Sequence, residues 1–133
     1  MKRLTLLTAC LAAALAAPVM AQEAADYPAA GAVKRAEVKA RAAAADCLTE
    51  LKGGHSGAAC GRYHAAVLSA LDQEHRRFSW CMPRMSEASN FPVPASCYAV
   101  PSDLKIDAVA GLERKVAPKT WVAFDDQMAK YSN

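Results

Sequence analysis

Four cysteines set the tightest limit on what this 133-residue chain can become: Cys47, Cys60, Cys81 and Cys97, spaced 13, 21 and 16 residues apart. What they do depends on where the chain goes, and its start addresses that. The segment MKRLTLLTACLAAALAAPVMAQEA opens with Lys2 and Arg3, continues as an uncharged apolar run from Leu4 to Ala17, and carries Val19 and Ala21 before Gln22. A basic start, a short apolar stretch and small or apolar residues before a cleavage point form the pattern of a secretory signal. The expectation is residues 1–21 as signal peptide, cleavage after Ala21, and a mature chain in the periplasm or outside the cell. The run is too short for a comfortable membrane span, and no later segment is long and apolar enough for one. An uncleaved anchor is the plain alternative. Leu7-Thr8-Ala9-Cys10 has the letters of a lipoprotein cleavage box, but almost no hydrophobic segment precedes it.

Export removes Cys10 and leaves an even number of sulfurs in an oxidising compartment, so two disulfides are expected. It also removes two of the 16 basic residues and none of the 13 acidic ones, leaving a net charge of +1. The basicity of the precursor belongs largely to its signal. No charged stripe of the kind that binds nucleic acid is left. The mature length suits a single domain with a small core.

Residues 22–32, QEAADYPAAGA, lack apolar periodicity and read as a flexible lead-in. A single helical domain is expected over 33–133. Its first helix runs from Val33 to Lys52 on strong helix formers, with Val33, Ala36, Ala40, Ala44, Cys47, Leu48 and Leu51 as the apolar face and Lys34, Glu37, Arg41 and Glu50 largely elsewhere. Gly53-Gly54 ends it. The second starts near Ser56 or Gly57, with a stripe of Cys60, His64, Val67, Leu68, Leu71, His75 and Phe78; Arg62, Asp72, Gln73, Arg76 and Arg77 face away. Pro83 is expected to stop it at Met82. Residues 83–101 hold four prolines and read as a long ordered loop, with room for a helical turn around Met85 to Ser89. Ser102-Asp103 offers a cap for a third helix carrying Leu104, Ala108, Val109, Leu112 and Val116, which Pro118 closes. A fourth, Thr120 to Tyr131, buries Trp121, Phe124 and Met128. No run alternates with a period of two, so the fold class is all-α: a small four-helix, disulfide-stapled domain.

The helical geometry chooses the sulfur pairing. Cys60 and Cys81 lie 21 residues apart on one helix, about 31 Å along its axis, and cannot meet. Cys81 is equally far from Cys47 if the first two helices form an antiparallel hairpin. Cys47 with Cys60 and Cys81 with Cys97 remain, one stapling the hairpin and the other pinning the proline-rich loop. Each closes a loop worth about 3 kcal/mol in the chain-entropy model. The choice fails if the second helix breaks early.

Cys60 and His64 could share a helical face, with Cys47 or His55 completing a metal site. The spacing fits no established zinc pattern, and an oxidising compartment favours the disulfide, so neither metal nor cofactor is expected. His55 reads as a loop residue, and His64 and His75 as residues at the margin of the core or of a partner surface. Asp125 and Asp126 read as a solvated face. No nucleophile–base–acid order, phosphate loop or carboxylate pair stands out, and the chain is read as no enzyme, without catalytic residues.

Cys47 at a helix end, Cys60-Gly61-Arg62-Tyr63 opening the next helix with Leu68 and Ala70-Leu71 downstream, Cys97 ahead of Pro101, and then Pro118 together resemble the Rap/Tai family of immunity proteins. That family protects bacteria against peptidoglycan amidases delivered by type VI secretion. The resemblance spans about residues 46–125. It implies a periplasmic helical protein that plugs the cleft of a hydrolase, with a homodimer left open. The loop Ser86 to Ser96, pinned at its base by Cys81 and Cys97, is the best candidate for the plug, through Ser86, Glu87, Asn90, Phe91 and Val93; it is stiffened by prolines and so cheap to order on binding. A structural crossover is the plain reading of the same loop. Two other classes stay open, an acid-stress chaperone and an envelope-accessory protein, although few acids look placed for a buried proton switch.

Overall fold

The computed structural model describes residues 25–86 and 92–132, so the expected signal lies outside the described residues. Four α-helices occupy the described residues: α1 (Ala30–Lys52), α2 (Ala58–Met85), α3 (Ile106–Val116) and α4 (Pro118–Ala129), with a 3-10 turn at Ala95–Tyr98. No described helix is long and apolar enough to cross a membrane. The all-α class holds, as do both disulfides, Cys47–Cys60 and Cys81–Cys97.

Helices α1 and α2 form an antiparallel hairpin whose seam repeats with coiled-coil regularity. On α1 the buried residues are Val33, Glu37, Ala40, Ala44, Cys47 and Leu51, in alternating steps of four and three. On α2 they are Cys60, Tyr63, Ala66, Val67, Ala70, Arg77 and Cys81. This alternation keeps one stripe of each helix on its partner. The small seam residues Ala40, Ala44, Ala66 and Ala70 let the two backbones approach closely. Helices α3 and α4 cover one side, closing a core that includes Val67, Val109, Trp121 and Phe124.

The seam departs from the expected stripes in an informative way. Glu37 and Arg77, expected outside, are buried at 4% and 9% exposure, whereas His75 and Phe78 are exposed. The second helix keeps Cys60 on its seam and then steps through Tyr63, Val67, Ala70, Glu74, Arg77 and Cys81 rather than through His64, Leu68, Leu71 and Phe78. Three of those positions carry charge or a phenol, which is why hydrophobicity alone misplaces the stripe.

Helix ends differ from expectation for equally local reasons. α2 continues through Pro83 to Met85. Proline removes its own N–H and crowds the carbonyl four residues earlier, and at Pro83 both effects fall at the very end of α2. There the Arg84 guanidinium donates to the Trp80 carbonyl at 2.7 Å and lies 3.5 Å over the Trp80 ring. Ser102 and Asp103 do not cap α3, which starts at Ile106 after Lys105 takes a left-handed conformation at φ 62°. Asp103 Oδ1 instead accepts from the Lys105 N–H at 2.8 Å and holds that turn. Pro118 occupies the first turn of α4, where a missing N–H costs nothing. Gly54, at φ 92°, turns the chain out of α1 as glycine allows.

The hairpin turn is held by a residue from across it. The Glu50 carboxylate accepts backbone N–H groups from Gly57, from Ala59 at 3.1 Å and from Cys60 at 3.1 Å. Glu50 thus satisfies the open first turn of α2, whose own flanking residue Gly57 has no side chain to do so. These bonds, the one from Cys60 foremost, hold its carboxyl below the usual glutamate range.

Candidate functional site

Three groups of side chains stand out: the exposed end of α2, a buried polar layer beneath it, and a carboxylate set against the first disulfide.

At the end of α2, Cys81 holds Cys97 with the Cα atoms 5.5 Å apart. That bond seats the 3-10 turn, and Arg77 secures it by donating to the Ser96 carbonyl at 2.7 Å. Tyr27 arrives from the N-terminal side, its N–H on Ser96 Oγ at 3.3 Å and its ring 5.4 Å from that of Trp80. So part of the lead-in, expected as flexible up to residue 32, is tied down at Tyr27, and α1 begins at Ala30. Around this anchored base large apolar side chains face solvent: Phe78, Met82 and Met85 are 56%, 53% and 46% exposed, Tyr98 65% and Val100 88%. Phe78, Met82 and Met85 lie at i, i+4 and i+7, one stripe of the helix. Leu71, His75, Phe78, Pro101 and Tyr131 line a shallow cleft of about 370 Å³ alongside.

Of the residues expected to bind a partner, Ser86 is exposed just beyond α2 and Val93 is half-buried next to the buried Pro94. Glu87, Asn90 and Phe91 lie outside the described residues. Sequence reasoning missed the stripe of α2 because it assigned Phe78 to the core.

Below the stripe lies the polar layer of the hairpin seam. Arg77 chelates one oxygen of Glu74 through Nε at 3.1 Å and Nη2 at 2.7 Å. Glu37 accepts the Ser102 N–H at 3.2 Å. Burial raises Glu74 above the ordinary glutamate range, and its hydrogen bond to Glu37 adds to that against the pull of Arg77. Burial also works against the Glu37 carboxylate, but hydrogen bonds from Ser102 and Glu74 outweigh it and the group sits below the ordinary range. The two carboxyls are thus pushed apart, Glu74 towards its protonated form and Glu37 towards its charged one.

The third group sits at the opposite end of the hairpin. Glu113 is fully buried, and both its oxygens lie near His64 Nε2, at 2.9 and 3.0 Å. One ring nitrogen serves two oxygens, and Oε1 has no hydrogen bond of its own. His64 stacks on Phe124 with the centroids 4.1 Å apart. Cys47 Sγ, Cys60 Sγ and a Glu113 oxygen all lie within 4.8 Å of one another. Tyr63 closes the neighbourhood by donating to the Leu104 carbonyl at 2.9 Å. Its phenol is pushed far above the ordinary tyrosine value, first by burial and then by the acids Asp103, Glu113 and Asp107. The sequence placed His64 at the margin of the core, which fits its 13% side-chain exposure. It gave no role to Glu113, whose position four residues after Val109 was the available signal.

His55 is exposed, with Nε2 4.0 Å from Glu50. His75 is exposed too, its ring 6.3 Å from that of Tyr131. Asp125 and Asp126 face solvent.

The chain matches no family model, no curated protein and no solved structure.

Proposed function

We propose that this chain is an exported binding protein of the immunity type, which occludes a peptidoglycan amidase through the end of α2 stapled by Cys81–Cys97. The single observation that carries the binding role is the exposure of Phe78, Met82, Met85, Tyr98 and Val100 around one disulfide-anchored base. Large apolar side chains grouped in this way on a small protein mark interaction surfaces. The anchoring matters as much as the apolarity: a surface already held by a disulfide, Arg77 and Tyr27 loses little freedom on binding. The amidase as partner rests on the resemblance to the Rap/Tai family. The expected binding loop follows directly in sequence, with Ser86 just beyond α2 and Val93 ahead of the 3-10 turn.

Mixing the purified chain with amidases delivered by type VI secretion tests this reading. The expected result is a stoichiometric complex, loss of amidase activity, and loss of both in a Phe78→Glu/Met82→Glu variant that keeps its helicity. A panel of such amidases left fully active overturns the amidase reading.

An acid-stress chaperone is the second reading, favoured by the burial of Glu37 and Glu113 and the half-burial of Glu74. Few acids seemed suitably placed in the sequence, yet these three stand inside or against the core. Light-scattering protection of an unfolding client only at acid pH would put this reading ahead.

A further inference from the structure

We propose that Cys47, Cys60 and Glu113 form a second state of the hairpin end, a zinc site that exists only when the Cys47–Cys60 disulfide is reduced. Glu113 is a fully buried carboxylate whose two oxygens share the single nitrogen His64 Nε2, at 2.9 and 3.0 Å, so that Oε1 has no donor of its own, which is uncommon for a buried acid. Here that oxygen belongs to a group set against two cysteine sulfurs, in a cluster spanning no more than 4.8 Å. Donors bound to one tetrahedral zinc at about 2.0–2.3 Å lie about 3.5–4 Å from one another, so on reduction the two sulfurs, bonded at 2.06 Å, must separate while the carboxylate oxygen closes in from at most 4.8 Å. Two thiolates and a carboxylate are a ligand set that zinc accepts, with a fourth position left for water.

His64 completes the arrangement from outside. Its Nε2 lies 3.0 Å from Glu113 Oε2, and a ligating carboxylate is commonly held in place by such an outer partner. His64 is thus a positioning residue, itself fixed by stacking on Phe124.

The chemistry balances simply. A dithiol or phosphine reductant gives two electrons, and with two protons the S–S bond becomes two thiols while the reductant is oxidised. Zinc then binds the two sulfurs as thiolates and releases those two protons. With Glu113 bound as a carboxylate, the site carries a net charge of −1. In the oxidised chain the sulfurs are bonded to each other at 2.06 Å and neither is available. Because both cysteines are fully buried, the reduced state arises in a chain not yet oxidised or in one opened locally.

A Cys10→Ser/Cys81→Ser/Cys97→Ser variant leaves only the two sulfurs in question. Titrated with Co²⁺ after phosphine reduction, it is expected to bind one ion per chain. Thiolate-to-cobalt charge-transfer absorption should appear, and Zn²⁺ should displace it. The oxidised form should show no such band. Glu113→Gln should abolish tight binding, and His64→Ala should weaken it by about 10–100-fold. Equal affinity in Glu113→Gln would reveal a bare dithiol and overturn the proposal, as would the absence of a charge-transfer band. Far-ultraviolet circular dichroism follows the same titration. A reduced chain that unfolds and regains no helix with one equivalent of Zn²⁺ also overturns it. If the triple variant does not fold when oxidised, the reduced native chain is alkylated with and without Zn²⁺. Protection of Cys47 and Cys60, but not of Cys81 and Cys97, is then expected, and equal labelling of all four refutes the site.

Discussion

At the scale of single residues, stability rests on a few polar side chains that the core has enclosed. Arg77 bonds Glu74 and the Ser96 carbonyl at once. Removing it leaves a half-buried acid and a carbonyl without their partner. Arg77→Ala should therefore cost about 3 kcal/mol in urea unfolding, well above a surface substitution. Tyr63→Phe removes one hydrogen bond, to Leu104, and keeps the ring. It should cost about 1 kcal/mol. A loss as large as that of Arg77→Ala would mean that the phenol also orders the approach to α3.

Among the elements, the two disulfides divide the work unequally in space although each is worth about 3 kcal/mol in loop entropy. Cys47–Cys60 lies between the two longest helices, beside Glu50, which already closes that turn. Cys81–Cys97 ties a 3-10 turn that otherwise hangs on Arg77 and Tyr27. Amide exchange in a Cys81→Ser/Cys97→Ser variant should accelerate over residues 95–100 while α1 and the first half of α2 stay protected. Acceleration spread evenly over the hairpin would contradict this division. Both pairings could be read from the sequence because helical rise makes the other pairings impossible, and Pro83 did not break α2 early enough to undo that reasoning. The four helices were legible for the same reason: alanine-rich, strongly periodic segments separated by Gly53-Gly54 and by prolines. The phase of the seam was not. Glu37, Glu74, Arg77 and Glu113 sit where periodicity wants apolar residues, and a search for hydrophobic stripes passes over charge that is buried because it is paired. The surface stripe at Phe78, Met82 and Met85 was lost by the same error, since a stripe shifted by one position turns surface into core.

For the molecule as a whole, the shifted acids give stability a dependence on pH with two opposite slopes. Glu74 is raised above the ordinary value of 4.5, so the folded state takes up its proton before the unfolded chain does, and stability rises as pH falls from neutral towards 4.5. Glu37 and Glu50 are lowered from 4.5, and Asp26 and Asp103 from 3.8. Below those values the unfolded chain binds protons first, and stability falls. Thermal unfolding across pH should show its maximum on the mildly acid side, and Glu74→Gln should flatten the rise without removing the acid collapse. A profile that declines steadily from neutral would contradict the upward shift of Glu74.

The charged layer at Glu37, Glu74 and Arg77 also bears on how the hairpin finds its alignment. The middle of the seam is alanine-rich, with Ala40, Ala44, Ala66 and Ala70, and such small side chains distinguish poorly between one heptad register and the next. A slide by one heptad would instead strand an arginine and two acids among methyl groups. The triad therefore acts as an index mark, set a few turns from the sulfur bridge and independent of it, so a chain whose cysteines are all replaced has a physical reason to come together in the same alignment.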